Sequence, residues 1–198
     1  MRPIIIDNAV PKLLFERFQR EMLSFNTEWH YLPSTTYRSN EDAYDNSFTH
    51  TSLFEGQKTS DLLYMYESVL LAGLSNVDIN VQSLVRLRSG MFMKAEKNYV
   101  HPPHTDFDYP HLTALLYLND SDGDTLLYKE RYDSSLGLNA SDYFHIKLME
   151  TVTVETSVSP KANRMVIFDG LQYHSSSSPV SSARRVTMNC NFIGEVNG

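Results

Sequence analysis

Cysteine is nearly absent from this chain: Cys190 stands alone among 198 residues. One thiol can close no internal disulfide and build no thiolate zinc cage, so any metal must rest on histidine and carboxylate, and the usage fits a reducing compartment. Long apolar runs are missing too. The opening Met1-Arg2-Pro3-Ile4-Ile5-Ile6 meets Asp7 after three isoleucines, too little for a signal-peptide core or a membrane span, so a soluble, cytoplasmic protein without membrane contact is expected. Basic charge is scarce: 17 Lys and Arg against 24 Asp and Glu leave a formal net charge of -7, which repels phosphate backbones and disfavours nucleic acid as a partner. A local basic patch from Arg86, Arg88, Lys94 and Lys97 is the one feature that runs against this. What is present, 41% hydrophobic and 12% aromatic residues, suffices for one sizeable core. No internal repeat or linker divides the chain, so residues 1–198 read as a single domain.

The apolar spacing of Leu13, Leu14, Phe18, Met22 and Phe25 predicts a helix from Pro11 to about Phe25, with the proline in its first turn. A second helix is predicted over Ser60 to Leu74, ending near Gly73 and Asn76. Between them, residues 27–58 scatter Tyr31, Tyr37, Tyr44 and Phe48 among small polar residues and read as loop with short strands. From Val81 the period becomes two. Strands are predicted at Val81–Lys94, Leu112–Leu118, Thr125–Glu130, Ile146–Thr156, Met165–Phe168 and Val186–Ile193. Helices followed by six or more strands indicate an α+β chain whose β part, residues 81–194, is a sandwich or barrel supported by residues 1–80.

The chemistry gathers in three strings. His104-Thr105-Asp106 places an imidazole and a carboxylate at i and i+2, on one side of an extended segment, where both can reach one ion. The apolar run Met165–Phe168 leads into a loop that delivers His174, 68 residues after Asp106. Then Arg184-Arg185 opens a strand with polar Arg185, Thr187, Asn189 and Asn191 alternating with apolar Val186, Met188, Cys190 and Phe192. Two histidines and one carboxylate fill one face of an octahedral ion and leave three positions open, the arrangement suited to non-haem Fe(II). A buried arginine beside them could hold a co-substrate carboxylate.

At these residues the chain resembles the 2-oxoglutarate/Fe(II)-dependent dioxygenases, most closely the prolyl-4-hydroxylase-like branch and its compact phage and bacterial members. The pattern His-x-Asp, a gap, His and then Arg is met in order by His104, Asp106, His174 and the Arg184-Arg185 pair, and the resemblance covers roughly residues 81–194. It implies a double-stranded β-helix, or jelly roll, with Fe(II) held by His104, Asp106 and His174 as the catalytic centre. It also implies 2-oxoglutarate as small-molecule co-substrate, O2 as oxidant, and hydroxylation of an unidentified substrate coupled to release of succinate. A peptidyl-prolyl or other amino-acid type of substrate is favoured, and a phage-encoded chain would act in the host cytoplasm. By the same resemblance Tyr117 and Leu126 belong to the co-substrate pocket. Strand parity selects Arg185 over Arg184 for the distal carboxylate and places Thr187 and Asn189 on the same co-substrate-binding face.

Alternatives weighed against this are a non-enzymatic jelly-roll binding module and a cupin-like metalloenzyme without 2-oxoglutarate. Histidines 30, 50, 101, 111 and 145 read as surface or hydrogen-bonding residues, His101 being kept from the metal by the extended Pro102-Pro103. Asp120, Asp122 and Asp124 resemble a calcium loop but Arg131 stands where its glutamate belongs, so a solvated turn is expected. Met91, Met93 and Tyr99 suit either core or substrate wall. Oligomeric state is not legible.

Overall fold

The computed structural model describes residues 1–35, 44–133 and 151–197. The chain runs β1 (Ile4–Ile6), α1 (Lys12–Met22), β2 (His30–Leu32), β3 (Ser47–Phe54), β4 (Gln57–Lys58), α2 (Leu63–Leu74), β5 (Ile79–Met93), β6 (Leu112–Tyr117), β7 (Thr125–Arg131), β8 (Val154–Val158), β9 (Met165–Asp169), β10 (Gln172–Ser176) and β11 (Arg184–Val196). Among the described residues the strands form two antiparallel sheets. The larger has the order β1-β9-β6-β11-β5-β3-β2 with β4 on the edge of β3, and the smaller has the order β10-β7-β8. From β6 onward the chain passes back and forth between them, winding both sheets around a shared interior: an α+β chain with a double-stranded β-helix core and N-terminal supporting helices.

Both helices cover the outer face of the larger sheet. In α1 the buried side chains are Phe15, Phe18 and Met22, one helical stripe. The stripe ends at Met22, so the helix stops three residues earlier than its spacing predicts, and Phe25 is 98% exposed. In α2 the buried set is continuous through Gly73 and Leu74. Gly73 does not terminate this helix. A Cβ there would lie 2.2 Å from Met165 Cε, so the glycine lets the helix lie directly on the sheet. The carbonyls left at the helix end are served by Asn76, whose Nδ2 donates to Gly73 O at 2.9 Å and to Ala9 O at 2.8 Å. The main core joins these helix residues to Leu112, Ala114, Leu116, Val186, Met188, Cys190 and Phe192. A second cluster, Leu115, Tyr117, Leu127, Val158, Val166 and Phe168, fills the space between the two sheets.

Two strands differ from expectation. Residues 47–54, inside the segment read as mostly loop, form β3, an interior strand of the larger sheet between β2 and β5. Its buried positions are polar except Leu53, so hydropathy gives little signal: His50, for one, is held by Glu28 O and Ser60 Oγ, 2.8 and 2.9 Å from its Nδ1 and Nε2. Residues 172–176, read as loop, form β10, whose side chains are also polar yet buried. Of the strand predicted at 146–156, residues 146–150 lie outside the described residues, and β8 begins at Val154. Tyr37 and His145 also lie outside them.

Candidate active site

His104 and Asp106 sit on the connection between β5 and β6, and His174 on β10. The connection is held to β10 by a reciprocal backbone pair, His104 N to His174 O at 3.0 Å and His174 N to His104 O at 2.9 Å. That pair sets the two imidazoles side by side with ring centroids 4.5 Å apart. One ligand atom from each of His104, Asp106 and His174 lies within 4.8 Å of the others.

The tautomers follow from the neighbours. His104 Nδ1 lies 3.0 Å from Pro102 O, and His174 Nδ1 lies 3.2 Å from Gln172 O. A carbonyl can only accept, so in each ring Nδ1 carries the hydrogen and Nε2 keeps its lone pair. Burial, reinforced by His174, pushes His104 down to about 3, and burial lowers His174 as well, so both rings are neutral near pH 7. Asp106 has the opposite state. Burial opposes its ionisation, but Arg86, His174, His104 and Arg88 together hold the carboxyl well below the usual carboxylate range. Arg86 pairs with Oδ1, while Asn189 and Asn191 donate to Oδ2 at 3.2 and 2.8 Å. Arg86 Nε donates to Asn191 Oδ1 at 3.0 Å, which fixes that amide's orientation. Two neutral imidazoles and one ionised, oriented carboxylate are the donor set that a divalent ion of the iron class takes, and the residues present fit Fe(II).

The polar face of β11 leads away from these donors. Arg185 is 1% exposed, Val186, Met188, Cys190 and Phe192 lie in the helix-side core, and Arg184 is exposed. Arg185 Nη2 donates to Thr125 Oγ1 at 2.7 Å, and Tyr117 OH donates to the same hydroxyl at 2.6 Å, so both converge on Thr125. Arg185 Nε has no hydrogen-bond partner, and among the described residues no carboxylate pairs with its guanidinium. Close approach here requires Gly123, where a Cβ would lie 2.3 Å from Ser177 O and 3.2 Å from Arg185 Cδ. A buried guanidinium with an orphaned donor fits the carboxylate of 2-oxoglutarate.

Thr187 and Asn189 line a cleft shared with His104, His174 and Thr125. Leu126 does not. It packs with Tyr128 and Tyr173 on the outer side of the smaller sheet, because alternation along β7 turns Thr125 and Leu127 inward. The expected Leu126 contact is corrected to its neighbours for that reason. Asn191 lies where the polar parity of β11 places it, whereas nothing in the sequence singles out Thr125, and Arg86 reads there only as part of a local basic patch. His101 stays outside the donor set: it is fully buried, with Asp45 Oδ1 2.9 Å from Nδ1 and Ser178 Oγ 3.1 Å from Nε2. The aspartates of residues 120–124 act as staples. Asp122 accepts from the backbone N–H groups of Val180, Ser181 and Ser182 at 2.8–2.9 Å, tying the turn to the approach of β11. Asp120 and Asp124 accept from Ala162 N and Ser157 Oγ.

A sequence model of the 2OG-Fe(II) oxygenase superfamily matches residues 90–193. No curated protein sequence matches. Among solved structures, an oxidoreductase of the 2OG-Fe(II) oxygenase family from Burkholderia pseudomallei is similar over 96% of this chain and 85% of its own, with 8% identity and a TM-score of 0.62. A Pseudomonas putida prolyl-4-hydroxylase is similar over 96% and 92%, with 15% identity and a TM-score of 0.54. The non-haem α-ketoglutarate-dependent epimerase SnoN of nogalamycin biosynthesis is similar over 99% and 81%, with 13% identity and a TM-score of 0.58. The matched segment spans more than half of the chain and contains His104, Asp106, His174 and Arg185, and with the fold it shows that the chain belongs to the 2OG-Fe(II) oxygenase superfamily.

Proposed function

We propose that the protein is a hydroxylase that uses Fe(II), O2 and 2-oxoglutarate to convert a C–H bond of an amino-acid-type or peptidyl substrate to C–OH, with His104, Asp106 and His174 as its metal ligands. The observation that carries this reading is the juxtaposition, in one buried interior, of three convergent ligand atoms and the unpaired guanidinium of Arg185. Iron bound there supplies oxygen activation, coupled to conversion of 2-oxoglutarate to succinate and CO2.

The chain's own part is positioning. Pro102 and Gln172 carbonyls fix the two rings so that both Nε2 atoms face inward. Arg86, Asn189 and Asn191 hold the Asp106 carboxylate ionised and in one orientation. Arg185, set by Thr125 and Phe92, receives the distal carboxylate of 2-oxoglutarate, with Tyr117 completing the polar end of that pocket. Phe168 packs against His174 with ring centroids 5.1 Å apart and helps exclude water. A reducing compartment such as the cytoplasm suits both ferrous iron and the lone thiol of Cys190. Among the described residues no helix is long and apolar enough to cross a membrane.

Anaerobic addition of Fe(II) and 2-oxoglutarate to the purified protein should produce the weak visible absorption of a chelated 2-oxo acid. Admission of air should then release succinate, slowly without substrate and faster with it. His174→Ala should abolish the absorption; an unchanged band in that variant overturns the ligand assignment.

A further inference from the structure

We propose that Arg88 is the anchor for a carboxylate on the substrate itself, so that the substrate is a small free acid of the amino-acid class and not an internal prolyl residue of a protein. The inference rests on the function proposed above and adds the substrate's charge to it.

Arg88 lies on β5, whose inward positions in this region are Arg86, Arg88, Gly90 and Phe92. It lines the same cleft as His104, His174, Thr187 and Asn189. In the sequence it reads as part of a local basic patch; the register of β5 against β11, Arg88 opposite Asn189, turns it inward. Its Nε is buried without a hydrogen-bond partner, and among the described residues no carboxylate pairs with it. The Arg86 guanidinium beside it and burial push Arg88 down to about 10, against the pull of Asp106, so it stays a cation at neutral pH. Arg88 is half-buried as a whole, and a cation whose Nε is buried without a partner is costly unless a ligand brings the counter-charge.

The other charges of the site leave no anion to spare for it. Arg86 is matched by Asp106. The two carboxylates of 2-oxoglutarate are shared between ferrous iron and Arg185, which together carry three positive charges. Arg185 is opposite Phe92, four residues along β5 from Arg88, a separation of about 13 Å between backbone positions. One co-substrate cannot engage both arginines and also reach the metal. An anion for Arg88, which none of the described residues supplies, is therefore assigned to the substrate. Arg88 is two residues, about 7 Å of strand, from the Arg86 that grips the metal carboxylate. A carboxylate seated on it therefore leaves room for only a few bonds between that group and the carbon to be oxidised. A free amino acid meets this; an internal proline, whose carbonyl is an amide, brings no charge. Thr49 and Ser47 on β3 line the same cleft and offer hydroxyls to the rest of such a molecule.

The test uses the full chain loaded anaerobically with Fe(II) and 2-oxoglutarate. It is titrated with the free L-amino acids, with their carboxamides and with a blocked prolyl peptide, reading the change in the visible band for binding and succinate for turnover. At least one free acid should perturb the band and stimulate succinate, and its carboxamide should bind at least ~10-fold more weakly. Arg88→Gln should weaken binding of that acid ~100-fold, Arg88→Lys should recover part of it, and 2-oxoglutarate affinity should move less than threefold. Amides or the blocked peptide acting as well as acids, no free acid binding, or Arg88→Gln weakening 2-oxoglutarate as much as the acid would each overturn the assignment. The carboxamide comparison needs no variant and so does not depend on Arg88→Gln folding. A normal 2-oxoglutarate band without preference for acids defeats this inference alone; no band in the wild-type chain defeats the proposed function and this inference with it.

Discussion

The two faces of the larger sheet are made by the same strands and have opposite compositions. On β11, Val186, Met188, Cys190 and Phe192 face the helices and join the main core, while Arg185, Thr187, Asn189 and Asn191 face the interior between the sheets. Apart from the half-buried Asn189 both sets are almost fully buried, so burial does not distinguish them. What differs is satisfaction. The apolar face is complete in itself, whereas the polar face leaves Arg185 Nε, Arg88 Nε and Asn189 Oδ1 without partners. A buried face that stabilises the fold has nothing left to offer a ligand; one that retains unmet donors stores part of its binding energy for one.

The comparison predicts that substitutions on adjacent β11 residues separate stability from binding. Phe192→Ala on the helix face should have the largest effect, a loss of about 3–5 kcal/mol in denaturant unfolding, with 2-oxoglutarate binding preserved at temperatures where the variant stays folded. Arg185→Ala on the other face should do the reverse. Thermal stability of the protein alone should hold or rise, because an unpaired buried charge is removed, while 2-oxoglutarate affinity falls by roughly 2–5 kcal/mol. Arg184→Ala, altering an exposed neighbour, should do neither, and a large loss there with little at Arg185 would invert the strand parity. Asn191→Ala should be milder: a hydrogen-bond donor to Asp106 is removed but no ligand, so metal affinity should fall about 10–100-fold, measurable by competition with a chelator. The smallest effect belongs to the rim. Asp7, held down to about 2 chiefly by its hydrogen bond from Arg164 and also by Lys161, is ionised more readily folded than unfolded. Its contribution is present above the ordinary carboxylate value of 3.8 and is lost as pH falls through about 2. Asp7→Asn should flatten the acid limb of the stability profile between those values and lower neutral-pH stability by the same small amount, at most about 1 kcal/mol, since the pairs are exposed.

Some of this was legible in the residues and some was not. The parity of β11 was, because eight of its alternating positions keep one character per face. The helices were placed to within three residues by their apolar stripes. Strands β3 and β10 were not, since their buried side chains other than Leu53 and Tyr173 are polar and their hydrogen-bond partners come from segments distant in sequence. Leu126 shows the limit of analogy: β7 begins at Thr125 as the spacing predicts, but its pairing with β8 and β10 decides which of its alternating side chains face inward, and nothing local to Asp124-Thr125-Leu126 reports it.

By itself, then, the sequence determined most of the strands from β5 onward, the side each residue of 185–192 takes, and the residue types able to hold iron and a dicarboxylic acid. These are properties of periodicity and chemistry within a few residues. Convergence was decided only by the tertiary structure. Asn191 meets Asp106 across 85 residues of chain and Arg185 meets Thr125 across 60. Arg86 and Arg88 become interior charges only once β5 is registered against β11. Register between distant strands is fixed by the packing of both sheet faces at once, against the helices outside and across the interior within, and no local pattern encodes that joint condition.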